Sequence, residues 1–253
     1  SVLMYREGFE LSNPVLDINE DAVLLFKFDD LSGIVKNYFY IIVHCDVDWN
    51  ESFILQADYL NGFPENPVDD YELSFNTTFE YVNYQLIFPN ENIQFKYSGN
   101  YALVIYEDND KEKLILTQRF HVVESIVGIE GTVRRASIDA FKGENHEIDF
   151  TIFHENLIIN NPHEEVKVVV VQNNRWDNAV RNLKPLFVKD RALVYDYNKE
   201  NLFLAGNEFR YFDNRTNQLN GENVMSTEFH RPYYHKTLMT DEVRSNKKFF
   251  SYE

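Results

Sequence analysis

The stretch SFNTTFEYVNYQLIFPNENIQFKYSGNYALVIY, from Ser74 to Tyr106, decides the fold. Its apolar residues recur at every second position. Val82, Tyr84, Leu86 and Phe88 share one side of the chain, and Tyr81, Asn83 and Gln85 share the other. A period of two belongs to a pleated strand with one buried face. Pro89-Asn90 and Ser98-Gly99-Asn100 interrupt the run with turn-forming residues, so the stretch predicts three successive β-strands with tight connections. It holds no nucleophile beside a base, no phosphate-binding loop and no metal-ligand spacing. What it offers is core.

The same pattern extends to both sides. Ala22–Phe28 is apolar and ends at Asp29-Asp30, and Tyr38–Cys45 (YFYIIVHC) is apolar on both faces, as a strand between two layers would be. Ser52–Leu60 reads as a further strand, with Asn61-Gly62 as the turn after it. Leu114–Val123 returns from a charged tip at Glu107–Lys113, with Leu116, Phe120 and Val122 on one face. About seven strands in about 120 residues suit an immunoglobulin-like sandwich.

Ser125–Gly128 reads as a joint, after which the pattern starts again. Strands are expected at Gly131–Ala136, His146–His154, Val166–Gln172, Ala192–Tyr197, Asn201–Tyr211 and Val224–His230. Asn173–Asn178 reads as a polar loop carrying Trp176, and Asn220-Gly221 as a turn. No helix-period segment of convincing length appears. The fold class is therefore all-β, with two tandem immunoglobulin-like β-sandwich domains: an acidic one over residues 1–125 and a second over 126–253. The last residues, Phe249–Glu253, stop without a polar tail, so the second domain reads as cut short and the chain as a piece of something longer.

The composition supports a packed β protein. The chain of 253 residues is 44% hydrophobic and carries 21 Phe and 16 Tyr against only 9 Gly, enough to build a core without disulfide staples. Its one cysteine, Cys45, allows no internal disulfide, and its neighbour His44 points to the opposite face of the strand, so the two form no local dyad. Charge is uneven. Residues 1–125 carry 7 Lys+Arg against 22 Asp+Glu, and residues 126–253 carry 17 against 19. The acidic first half argues against nucleic acid and anionic membrane surfaces as partners; it reads first as ordinary solubility with solvated loops, and an acidic docking face for a basic partner is the alternative. No leader pattern opens the chain at Ser1, and no apolar run approaches the roughly 20 residues that span a bilayer, so no direct membrane insertion is expected.

Candidate chemistry is sparse. Asp46, Asp48 and Asn50 form the D-x-D-x-N start of a calcium loop, because a hard cation wants several oxygens from alternating residues. Glu51 stands where the sharp turn wants Gly, and Ala57 where the bidentate Glu belongs, so an acidic turn is the stronger expectation. His230 and His235 frame Arg-Pro-Tyr-Tyr, but Pro232 excludes a regular helix across them and no third zinc ligand is evident. No glycine pattern of a nucleophile elbow surrounds any Ser. No enzyme activity, catalytic residue, metal or cofactor is expected. Trp49 and Trp176, each read as sitting in a polar loop, are the candidates for contact with a protein partner or a glycan.

Several segments, taken in order, resemble one family. FDDLSG at Phe28–Gly33, YFYIIVHCDVDWNES at Tyr38–Ser52, SFNTTFEYVNYQLIFPNEN at Ser74–Asn92, YSGNYALVIYED at Tyr97–Asp108 and TQRFHVVE at Thr117–Glu124 resemble the N-terminal region of the type IX secretion system plug protein family. VVVQNNRWDNA at Val169–Ala179 and AGNEFRYFD at Ala205–Asp213 extend the match into the second half. The resemblance implies a non-enzymatic periplasmic protein of Gram-negative bacteria. Its partner would be a large outer-membrane β-barrel translocon, whose periplasmic opening it would close sterically. The motifs carried over look structural, with Gly206-Asn207 as a turn or bulge. The alternative is an extracytoplasmic carbohydrate- or protein-binding β-sandwich module that uses Trp49 or Trp176.

Overall fold

Alternating aromatic and aliphatic residues dominate the folded chain as they do the sequence. The computed structural model describes residues 1–205 and 211–241. The chain divides into two units, Ser1–Ile126 and Val127–Glu253.

The first unit contains β1 (Val2–Arg6), β2 (Val15–Asp17), β3 (Leu24–Asp30), β4 (Tyr38–Cys45), a single helical turn α1 (Gln56–Tyr59), β5 (Leu60–Gly62), β6 (Asn66–Pro67), β7 (Asp70–Leu73), β8 (Val82–Phe88), β9 (Ile93–Phe95), β10 (Gly99–Glu107) and β11 (Leu114–Val123). One sheet has the order β1-β3-β8-β7 and the other β2-β11-β10-β4-β6, with β5 and β9 forming a separate ribbon. All pairings are antiparallel except β2 with β11. The four-stranded order matches the ABED sheet, and the β11-β10-β4 core of the other matches the GFC sheet, of an immunoglobulin-type sandwich.

Period-two alternation fills the space between these sheets. Val82, Tyr84 and Phe88 are fully buried in β8, Leu24 and Phe26 in β3, and Tyr101, Leu103 and Ile105 in β10. Tyr84 stacks on Phe28 at 5.1 Å between ring centroids and meets the edge of Tyr38 at 4.8 Å, and Phe120 stacks on Tyr101 at 5.5 Å. Such ring pairs add about 0.5–1.5 kcal/mol each beyond the area they bury. Each buried hydroxyl of Tyr59, Tyr84 and Tyr101 finds a backbone partner. Tyr101 lies near the start of β10, and its hydroxyl donates to the Tyr97 carbonyl at 2.7 Å. That is the tyrosine corner of immunoglobulin-type sandwiches, pinning the crossing from one sheet to the other.

Three sequence expectations change. The segment read as a strand over 52–60 contains the α1 turn. Asn61 and Gly62, read as a turn, lie in β5 and pair with Gln94 and Ile93 of β9. The segment 173–178, read as a loop, shrinks to a two-residue turn: Asn173 and Asn174 take positive φ (52° and 58°), and Trp176 already belongs to a strand. Asparagine tolerates that left-handed backbone, which lets a tight hairpin replace a longer loop.

The second unit contains β12 (Gly128–Arg135), β13 (Asn145–Phe153), the single turn α2 (Pro162–Glu165), β14 (Val168–Gln172), β15 (Arg175–Leu183), β16 (Phe187–Lys189), β17 (Ala192–Tyr195), β18 (Leu202–Leu204), β19 (Val224–His230) and β20 (Tyr233–Leu238). Strands β12-β13-β17-β16 form a sheet to which β18 adds by pairing with β13. The hairpin β14–β15 packs on it through Val168, Val170, Val180 and Leu183, against Phe150, Ile152, Leu193 and Tyr195. The β19–β20 ribbon pairs with no other strand among the described residues. Gly206-Asn207 and the terminal residues from Phe249 to Glu253 lie outside the described residues, as does part of the strand expected over 201–211.

Candidate functional site

The loop after β4 holds the calcium candidate and the first tryptophan. Asp46 folds it. Its Oδ1 accepts the backbone N–H groups of Asp48 (2.8 Å) and Asn50 (3.0 Å), and its own N–H donates to the Asn50 carbonyl at 2.9 Å. The Asn50 amide presents its nitrogen, not its oxygen, to Asp46, with Nδ2 3.3 Å from Oδ2. The Asn50 backbone N–H, with the smaller contributions of the Asn50 side chain and the Asp48 N–H, holds the Asp46 carboxyl below its usual pKa. The oxygens a cation would need are thus turned toward the loop's own donors. Among the described residues, no three His, Cys, Asp or Glu side chains are grouped to hold a metal ion.

Trp49 follows with φ at 68° and is half-buried. Its ring meets the edge of His121 at 5.3 Å and lies 4.6 Å from the Arg119 guanidinium carbon. His121 in turn donates from Nδ1 to the Asn100 Oδ1 at 2.9 Å, and Asn100 Nδ2 donates to the Asp46 carbonyl at 2.9 Å. Burial lowers the His121 pKa, so the ring is kept neutral. The loop, β10 and β11 are thereby knitted into one cluster with the Trp49 indole as its cover. Trp176 is also half-buried, in β15, with the Arg181 guanidinium 5.5 Å from its ring centroid. The two tryptophans lie in separate units.

Cys45 is buried, and burial, with the nearby Asp46 charge, raises its thiol pKa, so it stays protonated. His230 ends β19 and His235 lies in β20. Their rings meet at 4.8 Å, and His230 Nε2 lies 3.1 Å from the Glu228 carboxylate.

The second unit gathers more titratable groups than the sequence reading anticipated. Glu147, fully buried in β13, accepts from Arg134 at 2.7 Å and, through its other oxygen, from the Ser137 backbone N–H (2.6 Å) and hydroxyl (2.7 Å). Burial by itself would raise the Glu147 pKa, but the Ser137 and Arg134 hydrogen bonds outweigh it and leave the group below its usual range. Arg134 also reaches Asp149 at 2.6 Å and Asp196 at 3.7 Å. Burial raises the Asp149 pKa, partly offset by Arg134. Arg134, Asp149 and Asp196 line a polar groove of about 520 Å³ on the outer face of β12, β13 and β17. A catalytic pair would need a carboxylate free to take or give a proton. Here Glu147 and Asp149 are spent on Arg134, Ser137 and Asn201. The arrangement holds three strands and the 136–144 connection together. On the inner face, Ile129, Ile148, Phe150 and Ile152 face Val166, Val168 and Val170 across an apolar cleft of about 630 Å³. Spacing signalled none of this, because the partners come from different strands. The sequence reading also missed that Phe75 and Phe79 leave the strand pattern and stand exposed on the β7–β8 loop.

Comparison with known proteins gives the geometry a context. Residues 1–124 match the family described as Type 9 secretion system plug protein 1st domain. That part of the chain is similar to the first domain of the plug family. The plug domain therefore coincides with the first sandwich, and it ties this part of the chain to type 9 secretion and to the cell envelope. A solved structure also matches: a crystal structure of a hypothetical protein from Parabacteroides merdae ATCC 43184, at 35% identity and a TM-score of 0.88 over all of this chain. This chain spans 64% of the length of that protein. No curated protein matches. Among the described residues, no helix is long and apolar enough to cross a membrane.

Proposed function

We propose that the protein is a non-enzymatic periplasmic plug that closes the periplasmic opening of the outer-membrane translocon of the type IX secretion system. The observation that carries this reading is the match of residues 1–124 to the plug protein first domain. The physics of that domain supports it. A wide barrel leaves an aqueous channel, and a stopper must resist deformation. The first unit does so through a continuous core in which Leu24, Phe26, Tyr84, Phe88, Tyr101 and Phe120 are fully buried, and close-packed interiors have low compressibility. No proton transfer, nucleophile or cofactor enters this mechanism. The work is steric, and the partner is a protein.

Co-purification tests the reading directly. Tagged protein expressed in its native host is expected to bring down an outer-membrane β-barrel of the secretion system, and cells lacking the protein are expected to admit periplasm-excluded solutes through the idle translocon. Recovery of the protein free of any barrel, together with unchanged permeability of the deletion strain, would overturn it.

A further inference from the structure

One end of the first sandwich exposes apolar side chains on loops that are hydrogen-bonded in place. β3 ends and β8 begins there, since Asp30 pairs with Val82; β4 begins and β10 ends there, since Tyr38 pairs with Glu107. The β3–β4 and β7–β8 connections therefore lie side by side, and a Cβ on Gly33 would come within 3.1 Å of the Glu80 Cβ. On these two loops and the adjoining end of β7, Leu31 (76% exposed), Ile34, Val35, Leu73, Phe75 (92%) and Phe79 (78%) face solvent. Single exposed apolar residues are ordinary, but six on two neighbouring loops and the strand end beside them mark an interaction surface.

The loops do not dangle. The Tyr84 hydroxyl accepts the Lys36 N–H at 2.7 Å and donates to the Lys36 carbonyl at 3.0 Å, anchoring the first loop to the core. In the second, the Ser74 N–H donates to the Tyr81 carbonyl, the Tyr81 N–H donates to the Ser74 hydroxyl, and the Thr77 hydroxyl donates to the Phe79 carbonyl at 2.8 Å. The phenylalanines stand on a loop closed by these three hydrogen bonds, which lowers the ordering cost of binding.

Charge identifies what fits there. The segments 29–37, 72–81 and 107–113, at this end, carry eight Asp and Glu against three Lys, in keeping with the acidity of the whole first unit. An anionic lipid surface would be repelled. A protein surface with an apolar depression and a margin of Lys and Arg would be matched in both respects.

We infer that this loop end, centred on Phe75 and Phe79, is the surface by which the protein docks on a protein partner of that chemistry. For the partner's identity the inference rests on the plug reading, which makes it the periplasmic rim of the translocon. Purified full chain and detergent-solubilised translocon are the probe, with Phe75→Ser/Phe79→Ser and Glu72→Lys/Glu80→Lys as variants. All four positions are exposed, so thermal unfolding midpoints should match the wild type and rule out misfolding. The expected result is wild-type binding that weakens as salt rises, a loss of at least about tenfold with the Phe pair, and a shallower salt dependence with the charge reversals. Binding unchanged by the Phe pair would overturn the surface assignment and leave the plug reading standing. Absence of wild-type binding would overturn the plug reading and the assignment with it. Phe75-dependent binding to phosphatidylethanolamine–phosphatidylglycerol vesicles would overturn the choice of a protein partner.

Discussion

Gly62 has φ at +143°, and a Cβ built there would lie 1.8 Å from the Asn92 carbonyl oxygen. Both facts exclude a larger residue: the backbone conformation favours glycine, and the approach leaves no room. Gly62→Ala is expected to destabilise the first unit by about 2–3 kcal/mol, read as a lower urea midpoint with an unchanged slope. His121 supplies a pH dependence. Burial lowers its folded-state pKa below the unfolded value of about 6.5. The unfolded chain therefore binds the extra proton first, so the stabilising contribution is complete above about pH 6.5 and is lost as pH falls toward the lowered folded value. His121→Gln keeps a donor for Asn100 and removes the titration. Urea unfolding between pH 5 and 8 should show wild-type stability falling below about pH 6.5 and a flatter profile in the variant. In the second unit, Glu147→Ala would strand the Ser137 N–H and remove a buried counter-charge from Arg134. A cost of about 3 kcal/mol is expected, measured as a drop in that unit's melting temperature.

At the scale of elements, the period-two run in β8 buries Val82, Tyr84, Leu86 and Phe88 as its sequence requires, and β10 and β11 behave alike. The elements that escaped the sequence are short or edge pieces, β5, β6, β7 and β16 among them, with two to four residues each. Two to four residues give too few alternations to distinguish a strand from a loop, and long-range pairing creates them. Trp176 shows the same limit from the other side. Its surroundings are polar, but the Asn173-Asn174 turn starts the strand before it. The β19–β20 ribbon has no third strand among the described residues and keeps Phe229, Tyr233 and Tyr234 half or more exposed. A lone hairpin is marginal in water. Its amides are expected to exchange with deuterium far faster than those of β3, β8 and β10, which a time course by mass spectrometry would show.

Over the whole chain the two units differ in what holds them. The described residues of the first share one cluster of 22 buried apolar side chains, and those of the second a cluster of 4. Hydrophobic burial is the dominant favourable contribution to folding, so two calorimetric transitions are expected, the lower one belonging to the second unit. A single transition with equal calorimetric and van't Hoff enthalpies would contradict this.

The sequence by itself determined the class of structure: strands wherever aromatic and β-branched residues alternate, an acidic first half and, through the ordered motifs, the resemblance of the first half to the plug family. Those properties are local or additive, so they are written along the chain. The tertiary structure alone decided how consecutive strands separate. β8, β9 and β10, adjacent within Ser74–Tyr106, enter three different sheets. It alone brought Arg134 to Glu147, Asp149 and Asp196, and set the loop at Gly33 against Glu80 of the β7–β8 loop. Pairing between strands depends on which partner buries the most surface with its backbone satisfied, a choice made across the whole unit and invisible at any one position.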